Sequence, residues 1–255
     1  VNPDFGQVEA DPAVVNLSAF EVFFQERRPF FIEGAGTYAF TCRDCSLFYS
    51  RRIGRAPRGQ PALQPGEFAT RPDQSTILGA GKLTGRIGGF SLGVMTAVTQ
   101  EEAADLALAG GASGLPVVRR RAVIEPQTFY SVSRVRREFA DQSSVGAILT
   151  TTTRALSDPV SFLPSGATTS GVDVDWRLGQ RWGLSGYWAG SRVTGTPEAI
   201  GQLQTSTVHS FQRPDADHVE VDPLARALSG HSGSINFGKI AGQRTRGNFI
   251  VGYKS

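Results

Sequence analysis

Residues 171–178 read Gly-Val-Asp-Val-Asp-Trp-Arg-Leu. Side chains of an extended chain alternate between faces, so Val172, Val174, Trp176 and Leu178 share one side and Asp173, Asp175 and Arg177 the other. A strand of this kind needs an apolar surrounding on one face and a wet one on the other. A second sheet can cover the apolar face in a soluble sandwich, or lipid can cover it in a membrane wall. The alternation recurs in segments of about ten residues, joined in turn by tight turns and long polar loops. That is the sequence form of an all-β, antiparallel up-and-down transmembrane β-barrel.

Four hairpins are expected. They pair 75–86 with 90–100 across Ile87-Gly88-Gly89, 127–138 with 143–154 across Ala140-Asp141-Gln142, 169–178 with 183–194 across Gly179-Gln180-Arg181, and 231–240 with 246–255 across Gly242-Gln243. Their turns are short and carry Gly or Asp, as hairpin turns require. In the first, Phe90, Leu92, Val94, Thr96 and Val98 share a face. The connections 101–118, 155–168 and 213–228 are longer; the first is acidic, then Ala/Gly-rich, and suits a helical turn. One more strand is expected near 204–212, which brings the incomplete barrel over 74–255 to about eight or nine strands. Ser131, Ser133 and Arg137, with Asp173, Asp175 and Arg177, are expected to line a wet lumen. Trp176, Trp182, Tyr187, Trp188 and Tyr253 supply a partial aromatic girdle.

Composition agrees with many short strands: 30 Gly against one Met, and a mean hydropathy of -0.17. No run approaches the roughly 18 apolar residues of a membrane helix, but a barrel strand needs only about 9 to 11, alternate ones facing lipid. The net charge of +3 comes from 26 basic and 23 acidic residues without a Lys-rich run or aromatic platform, which points away from nucleic acid. No leader precedes Val1-Asn2-Pro3, and both ends read as strand interrupted in mid-course, so the sequence is read as a fragment.

Residues 1–73 are rich in charge, Pro and Phe and are expected to form an irregular plug-like or loop segment. A short helix is expected from Asn16 or Ser18 to about Gln25, with Leu17, Phe20, Phe23 and Phe24 on its apolar side and Arg27-Arg28-Pro29 ending it. Phe30-Phe31-Ile32, Phe40 and 47–53 then read as short extended pieces, and Pro57, Pro61, Pro65 and Pro72 fill a loop.

Cys42 and Cys45 are the only cysteines. Zinc would need two further ligands at suitable spacing, and a redox motif would need a helix start, so a local disulfide in an oxidising compartment is the favoured reading. Asp4, Glu9 and Asp11 match no calcium loop, and no metal or other cofactor is expected. Glu26, Arg27, Arg28 and Glu33, with Arg51, Arg52 and Arg55, form a dense charged set around the Phe cluster. Glu26 and Glu33 are the one carboxylate pair available for glycoside-type acid/base chemistry, and the arginines are ligand-binding candidates. The set can equally be an Arg/Glu ladder that neutralises itself inside a barrel or beneath a plug. Asp215 and Asp217, between Arg213 and His218, either bind a ligand or cap a strand. No nucleophile elbow or phosphate loop is present.

The strings Asn2-Pro3-Asp4-Phe5-Gly6-Gln7-Val8-Glu9-Ala10-Asp11-Pro12, Glu26-Arg27-Arg28-Pro29-Phe30-Phe31 and Phe48-Tyr49-Ser50-Arg51-Arg52-Ile53-Gly54-Arg55 are distinctive. With Phe211-Gln212-Arg213-Pro214-Asp215-Ala216-Asp217, they resemble a family of bacterial outer-membrane proteins of uncharacterised role. Its members carry a periplasmic domain similar to family 9 carbohydrate-binding modules, then a C-terminal barrel domain of unknown function. The resemblance implies a Gram-negative outer-membrane location, contact with outer-membrane lipid, and carbohydrate binding through a domain that would precede Val1. The expected role is transport or surface scaffolding linked to carbohydrate handling. The alternatives are a membrane-associated carbohydrate-active hydrolase and a soluble carbohydrate-binding β-sandwich.

Overall fold

The computed structural model describes residue 5 and residues 22–42, 45–108, 118–207, 210–212, 219–241 and 246–254. The strands in chain order are β1 (Glu67–Thr70), β2 (Ile77–Ile87), β3 (Phe90–Thr99), β4 (Glu102–Leu108), β5 (Val118–Glu125), β6 (Thr128–Glu138), β7 (Ser144–Arg154), β8 (Gly166–Leu178), β9 (Trp182–Thr194), β10 (Ala227–Lys239) and β11 (Gly247–Lys254). Two helices accompany them, α1 (Pro29–Ile32) and α2 (Pro197–Gln204). Eight strands make one antiparallel wall in the order β11-β10-β9-β8-β7-β6-β3-β2, and β1-β4-β5 make a separate three-stranded sheet.

The four expected hairpins form, with their ends shifted by a few residues. Gly88 and Gly89 both hold positive φ, 56° and 82°, as the tight β2–β3 turn demands of its two central residues. In the β6–β7 turn the positive φ falls on Gln142, and the Asp141 carboxylate accepts the Ser143 N–H at 3.0 Å. The eight strands, within the expected eight or nine, do not close into a barrel. Among the described residues the wall is open, with β2 and β11 each paired on one side only.

Other local expectations are corrected. The described residues of 204–212 hold no strand; α2 ends at Gln204, started by the Thr196 hydroxyl accepting the Ala199 N–H at 3.1 Å with Pro197 in the first turn. The supposed helical turn after residue 101 begins instead as β4, which pairs with β1 on one side and β5 on the other. Phe30-Phe31-Ile32 is not extended but helical, because Pro29 presets the first φ of α1. Within 47–53, Ser50–Arg52 form a 3-10 turn. Residues 22–25 are not helical, and the rest of the helix expected from Asn16 or Ser18 lies outside the described residues.

Pairing register settles the two faces of the wall. On β3, Met95 and Ala97 are buried while Phe90, Leu92 and Val94 are exposed. The exposed face continues through Leu83 (74%) and Ile87 (72%) on β2, Val145 on β7, Val172 on β8, Trp188 on β9, Ile235 (59%) on β10 and Phe249 (68%) on β11. The usual arrangement is therefore largely inverted: every strand of the wall carries large apolar residues on the exposed face, away from the core. On β6 the expected polar face is also corrected. Ser131, Ser133 and Arg137 lie on the same side as Val94 and Val145, whereas Arg134 is buried on the opposite face beside Val132. Arg137 reaches over the Phe90 and Phe139 rings, 5.1 and 4.9 Å from their centroids.

The core lies on the inner face. Phe31, Tyr38 and Ile53 of the N-terminal segment pack against Met95, Ala97, Val132 and Ile148, with Phe30, Phe40, Leu47 and Phe48 around them. The three-stranded sheet sits where β3 runs on into β4 and β5 into β6. It has a small core of its own in Ala104, Leu106 and Ile124, and is pinned by the Arg120 fork on Glu67 at 2.8 and 2.7 Å.

Candidate functional site

The N-terminal segment is seated on the wall by missing side chains. A Cβ at Gly93 would lie 2.8 Å from Thr37 and 3.0 Å from the Tyr38 ring, and one at Gly171 would lie 2.7 Å from Phe40 and 2.8 Å from Leu47. Inward-facing glycines on β3 and β8 thus form the sockets that admit this segment. A third, Gly146, makes room for the Arg134 guanidinium, whose carbon stands 5.6 Å from the Phe40 ring centroid. Both Arg134 amino groups grip Asp173, the second at 2.9 Å, and both residues are buried. This bidentate pair ties β6 to β8 across β7 beneath the segment.

The segment is held internally by Glu26 and Arg28. Arg28 Nε and Nη2 donate to the two Glu26 oxygens at 2.8 and 2.7 Å, and Nη1 and Nη2 also cap the Ile53 and Ser50 carbonyls at 2.7 and 3.0 Å. Ser50 Oγ donates to the same carboxylate at 2.6 Å, and the Arg27 and Arg28 backbone N–H groups add 3.1 Å contacts. Burial alone would raise the Glu26 pKa, but the bonds from Arg28 and Ser50 outweigh it and hold the group at about 2. Tyr38, whose buried hydroxyl lacks a partner among the described residues, is pushed up to about 12 by burial.

Between the segment and the inner face lies a cavity of about 280 Å³. Arg52, Arg55 and Arg58 line it from the segment, and Tyr130, Thr150, Thr152, Arg154 and Thr169 from β6, β7 and β8. Arg55 reaches Glu125 at 3.5 Å, and the Arg58 N–H donates to the other Glu125 oxygen at 2.9 Å. Burial, then the neighbouring Arg58 cation, bring the Arg55 pKa down to about 10 against the opposing pull of Glu125. Arg154 Nη1 donates to the Pro164 carbonyl at 2.9 Å, while its buried Nε has no partner among the described residues.

The residues singled out in the sequence are thus divided. Glu26, Arg28, Ser50 and Ile53 meet in one node, and Arg27 borders it. Arg51 donates to the Gln25 carbonyl at 3.0 Å and lies over Phe24. Glu33 is elsewhere: its carboxylate is largely exposed and meets Lys82 at 3.4 Å, which also caps the Phe30 carbonyl at 2.8 Å. Among the described residues Glu26 and Glu33 share no bonding partner. Arg52 and Arg55 enter the cavity. Cys42 and Cys45 are joined in a disulfide with Cα atoms 5.6 Å apart. Asp215 and Asp217, like Asp4, Glu9 and Asp11, lie outside the described residues. No group of potential metal ligands occurs among the described residues.

Sequence reasoning missed Arg58, Tyr130, Arg134 and Arg154. The signal for the last three was the alternation itself, because Tyr130, Val132 and Arg134 share one face of β6, and Thr150, Thr152 and Arg154 share one face of β7.

This segment, its sockets and the first six strands of the wall coincide with a match to a family model, a domain of unknown function (DUF5916), over residues 1–202. The chain belongs to the DUF5916 family. No curated protein and no solved structure matches it. The DUF5916 match takes in the Glu26–Arg28 node, the Arg134–Asp173 pair and the arginine cavity, and ends within α2; β10 and β11 follow it.

Proposed function

We propose that this chain forms part of the wall of a bacterial outer-membrane β-barrel, with the N-terminal segment as a plug against the inner face, and that it serves transport or surface scaffolding linked to carbohydrate handling. The observation that carries the proposal is the inverted wall. Large apolar side chains stand exposed on every strand, while Arg134, Asp173 and the socket glycines occupy the face toward the core. In water such a surface would be an extended adhesive patch; in a bilayer it is the lipid face. Thirteen-residue strands such as β8, β9 and β10 are long enough for this role even when tilted. Beyond the plug, Ser185, Ser234 and Asn236 supply hydroxyl and amide groups on the inner face of β9 and β10, a lining suited to polar solutes such as sugars.

The soluble sandwich lacks a cover for the exposed face among the described residues. The hydrolase reading has less support, because Glu26 is fixed in its ionised form by Arg28 and Glu33 stands apart on an exposed turn. Fractionation of cells carrying the full-length protein tests the proposal. The protein should remain with outer membranes after alkaline carbonate washing and require detergent for release. Recovery as a monomer in the detergent-free supernatant would overturn it.

A further inference from the structure

Among the described residues, Arg55, Arg58 and Arg154 bring more positive charge to the cavity than their neighbours balance. Arg55 and Arg154 are half-buried in it, Arg58 is exposed at its edge, and the carboxylate that meets any of these three among the described residues is Glu125. The Arg58 guanidinium makes no hydrogen bond or ion pair there, and Arg154 keeps a buried Nε–H without an acceptor. Cations crowded into a partly dry cavity repel one another, a cost that an anion held between them removes. Guanidinium forks suit the paired oxygens of a phosphate or carboxylate. The Tyr130 and Thr150 hydroxyls on the wall can bond to the remainder of a small polar molecule.

We infer that this cavity is a binding site for an oxyanion, the phosphate or carboxylate group of a small polyol-like solute, held by Arg55, Arg58 and Arg154. The site is built jointly by the N-terminal segment and the wall, so its ligand clamps one to the other. The inference goes beyond the membrane proposal and does not rest on it, because the cavity requires only that the segment lie on the inner face.

Isothermal titration calorimetry on the full-length protein in detergent provides the test, with inorganic phosphate, glucuronate and glucose as probes. At least one anion should bind and glucose should not; the tighter of phosphate and glucuronate identifies the phosphoryl or the carboxyl source. Affinity should fall as sodium chloride is raised. Arg154→Gln and Arg58→Gln should each weaken binding by about tenfold, the scale of one charge-assisted hydrogen bond. If Arg154→Gln fails to fold, Arg58→Gln decides alone, because that side chain bonds to nothing among the described residues. Failure of both anions to bind more tightly than glucose, or parental affinity in the folded variants, would overturn the inference. Neither result bears on whether the protein sits in a membrane.

Discussion

Single residues here are chosen by what they must stand beside. Arg134 and Asp173 are buried together, and a buried ion pair adds little net stability while the loss of one partner is severe. Asp173→Asn should therefore destabilise the protein by about 3 to 5 kcal/mol, whereas the double change Arg134→Met with Asp173→Leu should cost much less. Thermal unfolding of the parent, of Asp173→Asn and of the double variant measures both. Glu26 makes a pH-dependent contribution. Its folded pKa of about 2 lies below the ordinary 4.5, so its stabilisation is complete above about pH 4.5 and is lost as pH falls toward 2. With allowance for solvent screening this is on the order of 2 kcal/mol. Limited proteolysis of the N-terminal segment should accelerate across that window in the parent. In Glu26→Gln, cleavage should already be fast at pH 7 and should change little with acid.

At the scale of elements, β8 allows a direct comparison of the two faces. Val174 shares the outer side with Val145 and Ile235, and Asp175 shares the inner side with Ser144 and Ser185. Val174→Arg should impair membrane assembly by about 2 to 4 kcal/mol if the residue lies near the bilayer midplane, while Asp175→Asn should be tolerated. Folding yield into lipid vesicles reports the difference. The hairpins were legible in the sequence because period-two alternation and Gly or Asp turns reinforce one another. β6 was misread because both its faces mix polar and apolar residues, and only its register against β3 shows that Ser131 and Ser133 turn outward while Arg134 turns in. The three-stranded sheet escaped notice because β1 has four residues, β4 is rich in alanine, and β5 carries Arg119-Arg120-Arg121 near its start, none of which reads as strand alone. The start of α2 was readable in Thr196-Pro197-Glu198; its shortness hid it. In the cavity, Arg52 and Arg55 stood out in a dense charged run, but Arg154 lies nearly a hundred positions away and is brought to them only by the strand order.

For the whole molecule, the decisive relation is between the segment and the wall. If the segment plugs a transport lumen, removing residues 22–65 from the full-length protein should raise single-channel conductance in planar bilayers. Unchanged conductance would favour the scaffold role. The wall has a further property. Apart from β3 and β6, every neighbouring pair of wall strands is consecutive in the chain, whereas the segment touches strands from β2 to Tyr187 on β9. Short-range pairings close quickly, since little chain entropy is lost in forming each one. The segment precedes these strands in the chain and bears the Thr37, Tyr38, Phe40 and Leu47 side chains that fill their glycine sockets, so it is available as a mandrel. Each newly paired hairpin can be laid against a surface already shaped to receive it before the last strand is in place.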